Sequence, residues 1–339
     1  MIRSRVGMKA MLLAAGRSTR LGALGARLPK PLVPICGHPA IRFGCAALAA
    51  AGLTEVVVNL HHHGAAIREA LGDGGDLGLS LAYTEEPELL GTGGGLAGAA
   101  ALLGEGAVLV MNAKVVADLD LGAVIESHLA SGADATLVLR DDPDAAGWGA
   151  IGADADGRVV SILGTGGPRP ARGGVTDRMF TGIQIVGPHI RARLRPVFSD
   201  TVRDGYIPAL VEGAHLHAHV MRGYFAEHST PGRYLRGNLA LLRDPALIAR
   251  PPGPLVGADA SAVVEAGGRL VPPFRVDAGA VIEGGAVVGP DVVLGAGTRV
   301  RAGVHLTRAV VWPGVTVTDS HADAVITPDG PVPISSIEP

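Results

Sequence analysis

The sequence predicts an α/β protein in which a mixed or parallel sheet is followed by a short left-handed parallel β-helix. Two patterns support this fold class. Residues 9–140 alternate short apolar strands with helices, which is typical of a parallel sheet with helices on both faces. Residues 264–306 place an apolar residue at every sixth position, which is typical of a parallel β-helix. A proline- and glycine-rich stretch, residues 251–254, separates the two patterns.

The first part of the chain has the element order of a Rossmann-like fold. Apolar stretches predict strands at Ala10–Leu13, Glu55–Asn59, Leu79–Tyr83, Ala107–Met111 and Ala135–Leu139. Periodic stretches predict helices at Ala40–Ala51, Ala65–Leu71, Leu96–Leu103 and Leu121–Leu129. Residues 178–186 predict a further strand, and Pro231–Leu242 predicts a closing helix. Ligands of such sheets bind at the carboxyl ends of the strands, so the turns after the first and fourth strands are candidate sites.

The second part of the chain repeats with a strict period of six. The repeated apolar positions are Val264, Leu270, Val276, Ile282, Val288, Leu294, Val300 and Leu306, and Trp312 continues the series. Three hexapeptides form one triangular coil, so about three coils are expected. We predict that these coils associate copies of the chain into a homo-oligomer. The alternative is an acyltransferase site, for which His305 is the one candidate histidine within the coils.

These patterns predict three segments. Residues 8–243 form the sheet domain, residues 244–256 a linker, and residues 257–330 the β-helix. The 339-residue length leaves room for one large and one small domain.

Composition excludes several classes of protein. An apolar content of 47% excludes a disordered chain, and a net charge of −3 gives no reason to expect nucleic acid or an anionic membrane as a partner. No 18-residue apolar stretch lacks glycine or charge, so no membrane span is predicted.

Cys36 and Cys45 are expected to be buried free thiols in a reducing cytoplasm. His215, His217 and His219 alternate and are expected on one solvated strand face.

The most informative segment follows the first strand. Ala14, Ala15 and Gly16 make a turn without bulky side chains, which lets backbone N–H groups approach a polyphosphate. Arg20 and Lys30 follow as cations suited to the same phosphates. The nucleotide-binding residues predicted here are Ala14, Ala15, Gly16, Arg17, Ser18 and Thr19.

The combined string resembles the signature of the sugar-1-phosphate nucleotidyltransferases, in which a glycine-rich loop ending in Thr-Arg-Leu precedes Pro-Lys-Pro-Leu. It departs at Ser18, where most members have glycine. Residues 81–100, LAYTEEPELLGTGGGLAGAA, are similar to the family's second loop. The resemblance implies that Gly91, Thr92, Gly93 and Asn112 bind the nucleotide. Gly182, in MFTGIQIVGP, is implied to leave space for the sugar ring. The resemblance covers roughly residues 8–240.

The chain departs from the family at the metal. Where the family's fourth strand usually ends in Asn-Gly-Asp, with the aspartate binding Mg²⁺, this chain has Lys114. The family's second metal ligand corresponds to Glu227. The lysine that usually binds the sugar phosphate is not visible, and Arg169 and Arg172 are its predicted substitutes. Lysine is rare here, with three lysines against 26 arginines, which favours a specific reason for the ammonium at position 114.

The resemblance implies an enzyme of the mannose-1-phosphate guanylyltransferase type that joins a nucleoside triphosphate to a sugar 1-phosphate, with Arg20, Lys30 and Lys114 as catalytic residues. Three interpretations of Lys114 stay open. The ammonium replaces the metal in an active transferase, or Mg²⁺ binds other carboxylates such as Asp118 or Asp120. Alternatively, the protein is a catalytically weak sugar-nucleotide-binding or regulatory protein on the same scaffold.

Overall fold

The chain folds into two units, each assembled from segments that are distant in sequence. The computed structural model describes residues 7–143, 145–332 and 334, except for the side chains of residues 19, 23, 146 and 148. The first unit comprises the described chain up to Gly16, Gly44–Ala113 and Leu119–Gly223. The second comprises Arg17–Phe43, Lys114–Asp118 and the chain from Tyr224 onward. This division does not follow the predicted domain boundaries, which stay a prediction.

Short strands and helices alternate along the first two thirds of the chain. The strands are β1 (Lys9–Leu13), β2 (Pro34–Ile35), β3 (His38–Pro39), β4 (Glu55–Leu60), β5 (Ser80–Glu85), β6 (Val108–Asn112), β7 (Val115–Ala117), β8 (Ala135–Arg140), β9 (Ile151–Ala153), β10 (Val159–Ile162), β11 (Thr165–Gly166), β12 (Thr176–Val186), β13 (Leu216–Met221) and β14 (Phe225–Glu227). The helices are α1 (Ala23–Arg27), α2 (Ala40–Ala50), α3 (Gly64–Leu71), α4 (Gly91–Gly98), α5 (Ala100–Leu103), α6 (Leu121–Ser131), α7 (Ala145–Trp148), α8 (Pro188–Arg191), α9 (Ile207–Val211) and α10 (Pro231–Arg243). Short 3-10 turns occupy Thr19–Leu21, Lys30–Leu32, Gly75–Leu77 and Pro245–Leu247, and a π-helical turn occupies Thr201–Tyr206.

The first unit contains a mixed sheet, which confirms the predicted fold class. Its strand order is β11-β10-β9-β12-β6-β1-β4-β5, and β8 pairs with both β12 and β13. Strands β6, β1, β4 and β5 are parallel to one another. Strand β12 is antiparallel to β6, β8 and β9. Ala10, Met11 and Leu12 are fully buried, as expected of a central parallel strand covered on both faces. The carboxyl ends of β1, β4 and β6 therefore lie side by side.

The helix predicted over Leu96–Leu103 is longer and interrupted. It begins at Gly91, and Ala99 separates α4 from α5. The glycine run 91–95 is therefore helical rather than a loop. The other predicted helices and strands agree with the structure within one or two residues. Helix α10 begins as predicted, because the Thr230 hydroxyl accepts the Arg233 N–H and Pro231 occupies its first turn.

The second unit contains the hexapeptide repeats. Their strands are β15 (Gly257–Ala258), β16 (Val263–Val264), β17 (Arg269–Leu270), β18 (Phe274–Val276), β19 (Val281–Ile282), β20 (Val287–Val288), β21 (Val292–Leu294), β22 (Arg299–Val300), β23 (His305–Val311), β24 (Thr316–Val317), β25 (His321–Thr327) and β26 (Gly330–Val332). From β15 to β20, each strand pairs in parallel with the strand three further along, as β15 with β18 and β16 with β19. This curled parallel arrangement is that of a β-helix, with three strands to each coil.

The repeat loses one residue in its third coil, which corrects the prediction for Trp312. Val288 pairs with Leu306, eighteen residues on, but Leu294 pairs with Val311, only seventeen residues on. Val311 therefore continues the series. The shortening lies at Arg308, which adopts a left-handed backbone conformation with φ 45°.

The interior of these coils is continuous with the core of the rest of the second unit. The buried side chains that line it belong to α10, to the coils and to residues 17–43. The Tyr234 hydroxyl, fully buried, donates to the Pro34 carbonyl at 2.6 Å and accepts from the Trp312 indole at 3.1 Å. The Asn238 carboxamide accepts the Cys36 N–H at 2.7 Å. Residues 17–43 are thus held in part by hydrogen bonds to Tyr234 and Asn238 of α10.

Two predictions of absence can be compared with the described residues. Cys36 and Cys45 are buried thiols that are not joined in a disulfide. None of the described helices combines the length and the apolar composition that crossing a bilayer requires.

Candidate active site

An ion pair between Lys114 and Glu227 lies at the centre of the candidate site. Strands β7 and β14 pair antiparallel, with Val115 opposite Glu227, so Lys114 enters the sheet beside that carboxylate. The Lys114 ammonium donates a hydrogen bond to Glu227 Oε1. The two side chains are 25% and 18% exposed, so solvent screens the pair only in part. The two positions that the resemblance assigns to metal ligands are therefore neighbours.

Arg20 and Lys30 belong to the same cluster. Arg20 Nη2 lies 4.0 Å from Glu227 Oε1, and Lys30 is 8% exposed. Burial, followed by the charges of Lys114 and Arg20, lowers the pKa of Lys30 from 10.5 to about 8. Burial raises the pKa of Glu227, but Lys114, Arg20 and Lys30 together outweigh it and hold that pKa below its ordinary value. Three cations share one carboxylate, which leaves an excess of positive charge suited to a polyphosphate.

Ser18 joins the small-residue turn to the Pro-Lys-Pro-Leu segment. Its backbone is left-handed, with φ 57°, which accounts for the glycine that most members of the family carry here. Its hydroxyl accepts the backbone N–H of Lys30 at 2.8 Å, in a buried position. The serine therefore offsets its conformational cost with a hydrogen bond that positions Lys30. Arg17 is exposed, and the side chain of Thr19 lies outside the described part of the chain.

The turn that follows β1 is held by a buried polar pair that the sequence analysis missed. The Ala14 N–H donates to Asn59 Oδ1 at 2.8 Å, so this N–H already has a partner within the chain. Asn59 in turn donates to the buried Glu86 at 2.6 Å. The signal in the sequence was a single polar residue, Asn59, inside an otherwise apolar strand. Around Gly16 a Cβ atom would meet no protein atom within 4 Å, so its surroundings are open.

The glycines of α4 have a packing role. A Cβ at Gly91 would lie 2.4 Å from the Ser199 carbonyl oxygen, and one at Gly94 would lie 2.0 Å from that of Val197. The Gly93 N–H donates to the Ser199 carbonyl at 2.9 Å. The Thr92 hydroxyl accepts the Thr201 N–H at 2.9 Å. These contacts explain the small residues without a ligand, and binding of the nucleotide by Gly91, Thr92 and Gly93 stays a prediction.

Asn112 and Gly182, by contrast, are brought together. Gly182 has φ 77°, and a Cβ there would lie 2.0 Å from Asn112 Nδ2. The pairing of β12 with β8 shifts at this point, between Phe180 and Gln184, whereas β12 pairs with β6 in regular register from Ile183 onward. Only glycine fits beside Asn112, and both residues lie at the carboxyl end of β6.

Arg169 and Arg172 are not brought to Gly182. They line a cavity with His215 and His217. His217 pairs with Thr136 of β8, which pairs with Ile185 of β12, so the cavity lies beyond Ile185, toward the amino end of β8. Gly182 lies in the opposite direction along β12. The predicted role of these arginines in binding the sugar phosphate of the substrate therefore finds no support in their position.

The residues present do not fit a bound Mg²⁺. A divalent cation prefers several oxygen ligands, whereas Glu227 is a single carboxylate surrounded by three cations. Asp120 caps α6 by accepting the Ala123 N–H, and Asp118 accepts the Ala249 N–H at 3.0 Å. Within residues 7–143, 145–332 and 334, no three histidine, cysteine, aspartate or glutamate side chains come together as a metal site.

Comparison with known proteins is consistent with the sequence signature. Residues 9–163 match the family described as Nucleotidyl transferase. N-acetylmuramate alpha-1-phosphate uridylyltransferase of Neisseria meningitidis is 34% identical over 229 residues, which cover 67% of this chain and 89% of that protein. Mannose-1-phosphate guanylyltransferase of Mycobacterium tuberculosis is 31% identical over 236 residues, which cover 69% of this chain and 64% of that protein. This chain thus spans a little under two thirds of the length of that guanylyltransferase.

The fold has a solved counterpart. A crystal structure of a Bacillus anthracis protein described as a glucose-1-phosphate thymidylyltransferase, in complex with sucrose, superimposes with a TM-score of 0.58. The two proteins are 20% identical, and the superposition covers 70% of this chain and 96% of the Bacillus anthracis chain. At this identity the likeness concerns the fold alone.

Replacing Ser18 tests its link to Lys30. Ser18→Ala leaves a buried N–H without an acceptor, so we expect it to lower the free energy of unfolding by about 1–3 kcal/mol. Ser18→Gly loses the same hydrogen bond but removes the left-handed strain, so its loss should be smaller by about 1 kcal/mol. Urea denaturation measures both. Ser80→Ala, at an exposed serine, serves as the control; a Ser18→Gly protein less stable than Ser18→Ala would contradict this account.

Proposed function

Because the chain belongs to the nucleotidyl transferase family, we propose that it joins a nucleoside triphosphate to a sugar 1-phosphate and releases pyrophosphate. The observation that carries this proposal is the cluster of Arg20, Lys30 and Lys114 around Glu227, with its excess of positive charge. Such a cluster suits a ligand that brings several negative charges. The family supplies the reaction type, and this chain's own residues supply the charge.

In the proposed reaction, an oxygen of the sugar phosphate attacks the α-phosphorus of the nucleotide. An oxygen–phosphorus bond forms as the bond between the α-phosphorus and the bridging oxygen breaks, and that oxygen leaves with pyrophosphate. Little covalent chemistry is required of the protein; it must align two anions and stabilise the charge on the phosphoryl oxygens.

We assign that charge stabilisation to Lys114. Its ammonium is compact, and Glu227 orients it through a hydrogen bond. Lys30, held by Ser18 through its backbone N–H, and Arg20, the most exposed of the three, would contact the remaining phosphate oxygens. One ammonium carries half the charge of Mg²⁺, so a slower reaction than in metal-using relatives is the expected consequence.

The remaining contacts are proposed from the family resemblance. The turn Ala14–Gly16, with Arg17, Ser18 and Thr19, would lie along the triphosphate. Gly91, Thr92, Gly93 and Asn112 would face the nucleoside. Gly182 would leave room for the sugar ring, and its proximity to Asn112 supports assigning the two to adjoining parts of the substrate.

We also propose that the first coil of the β-helix joins copies of the chain. Val264 is 42% exposed, although its equivalents in the later coils, Ile282 and Val300, are buried, and its neighbour Val263 is 50% exposed. Their strand, β16, pairs on one side only, with β19. An apolar edge strand of this kind is covered by another strand in many proteins.

Turnover without metal is the direct test of the proposed reaction. With pairs of nucleoside triphosphates and sugar 1-phosphates, we expect pyrophosphate release that persists in EDTA. Lys114→Met should reduce kcat/KM about 100-fold or more, because a charge aimed at the transition state is lost. Lys114→Asp, which places two carboxylates together, should make activity depend on added Mg²⁺.

Lys9→Met is the matched control, since Lys9 pairs with Glu55 outside the cluster. Activity that is abolished by EDTA in the wild type would overturn the role of Lys114. Tight binding of a nucleotide sugar with no turnover for any pair would instead support the regulatory alternative.

Nucleotide affinity should weaken as the pH rises through about 8. Below its pKa of about 8 Lys30 carries a charge, and above it the free protein must take up a proton to bind the anion. The Kd should therefore rise by up to about tenfold per pH unit above that value. Titration calorimetry between about pH 7.5 and 9.5 at constant salt measures this. Lys30→Arg keeps its charge throughout, so its Kd should stay flat; equal slopes for both proteins would contradict the assignment.

If the first coil joins copies of the chain, substitutions of its exposed valines should lower the mass of the particle in solution. Val263→Glu together with Val264→Glu should convert the oligomer to a monomer in sedimentation experiments, because the charged side chains cannot be buried against a second copy. Val211→Glu, at a valine that is 51% exposed in the first unit, is the control. A wild-type protein that sediments as a monomer would refute the proposal.

A further inference from the structure

A cavity of about 520 Å³ opens in the first unit, and neither Asn112 nor Gly182 lines it. Ser127 of α6 forms one wall, His215 and His217 at the start of β13 form a second, and the arginines Arg158 and Arg172 form a third. Its volume is in the range of pockets that hold small molecules.

The cavity is separated from Gly182 both along and across the strands. His217 and Gly182 are separated by two strand spacings across the sheet and three residues along β12, which places their Cα atoms on the order of 15 Å apart. His215 lies farther still, beside Asp134, whose backbone N–H donates to the His215 carbonyl. A molecule in this cavity would therefore not occupy the position of the sugar substrate.

A buried carboxylate organises the arginine wall. Asp154 accepts the backbone N–H groups of Arg158 and Arg172 and, at 3.0 Å, the Arg158 guanidinium. Burial raises its pKa, but these hydrogen bonds outweigh the effect and keep the pKa low, so Asp154 stays ionised. Arg158 also donates to the Pro170 carbonyl at 2.8 Å. The loop that carries Arg169 and Arg172 is thereby tied to the β9–β10 turn.

The wall keeps donors that the described protein does not use. The Nε atom of Arg158 is buried and has no acceptor among the described residues. Arg169 is exposed. Among the described residues, the Arg172 guanidinium pairs with the Asp156 carboxylate at 3.4 Å, and because both side chains are exposed this ion pair is weak. Counting Asp154 and Asp156, the wall retains an excess of one positive charge. Guanidinium groups in this arrangement suit a phosphate, which accepts from two N–H groups at once.

The other walls suit hydroxyl groups. The Ser127 hydroxyl and His217 Nε2 lie 2.9 Å apart, and burial lowers the pKa of His217, so its ring is neutral near pH 7. A neutral imidazole and a serine hydroxyl can each donate or accept, as sugar hydroxyls require. Ala130 adds an apolar surface.

We propose that this cavity is a second binding site, for a phosphorylated sugar, with the phosphate on Arg169 and Arg172 and the sugar hydroxyls toward Ser127 and His217. The site is independent of the proposed reaction. It also accounts for the two arginines, which the sequence placed in the phosphate-binding class and the structure keeps away from Gly182.

Titration calorimetry on the full chain with glucose 6-phosphate tests the site, because this sugar has no phosphate at its anomeric carbon. We expect one equivalent to bind. Arg169→Ala combined with Arg172→Ala should weaken binding about tenfold or more, since two charge-assisted contacts are lost. Arg250→Ala combined with Arg269→Ala, at exposed arginines of the second unit, removes the same charge and should leave the Kd unchanged.

Two further measurements separate this site from the reaction. Lys30→Ala should leave the affinity for glucose 6-phosphate unchanged, so a loss there would move the ligand to the triphosphate cluster and overturn the proposal. Inorganic phosphate should bind about tenfold more weakly than the sugar phosphate; equal affinities would show that the sugar is not recognised. Absence of binding to the wild type would refute the site whether or not the enzyme turns over.

Discussion

Mutual repulsion among like charges is the constraint on which the candidate site depends. Lys30 is almost fully buried and shares Glu227 with Lys114 and Arg20, so its ammonium is held at a cost that appears as a pKa near 8. A single carboxylate cannot compensate three cations. The free energy that keeps them together must come from the surrounding fold, and a bound polyphosphate would relieve the repulsion. The cluster is therefore arranged for an anion before any ligand arrives.

The second unit supplies that support through a shared core. Residues 17–43 carry Arg20 and Lys30, and they pack on α10 and on the interior of the coils. The Tyr234 hydroxyl links Pro34 to Trp312 within this core. Helix α10 packs on the later strands of the coils, β21, β23 and β25, and holds residues 17–43 through Tyr234 and Asn238. The one-residue shortening after Leu306 displaces Trp312 from the repeat. Its indole N–H donates to the Tyr234 hydroxyl.

Small residues in the signature have two different causes. Gly182 is required by Asn112, and Gly91 and Gly94 are required by carbonyl oxygens of residues 197–199. A Cβ at Gly16, in contrast, would meet no described atom within 4 Å, so packing within the described chain does not require that glycine. A glycine-rich string therefore does not by itself distinguish close packing from close approach to a substrate. The buried pair of Asn59 and Glu86, which fixes the first turn, was invisible because its two members are far apart in sequence.

The sequence by itself determined the fold class, the period of the coils, the family and the unusual lysine at the position of a metal ligand. These depend on local order along the chain: apolar periodicity, the capping of α10 and short motifs at fixed spacing. Only the tertiary structure decided which residues meet. The pairing of β7 with β14 joins Lys114 to Glu227, and the Ser18 hydroxyl holds the backbone of Lys30, whereas Arg169 and Arg172 line a cavity with His215 and His217. Contacts between distant segments depend on register and packing, and no local pattern encodes either one.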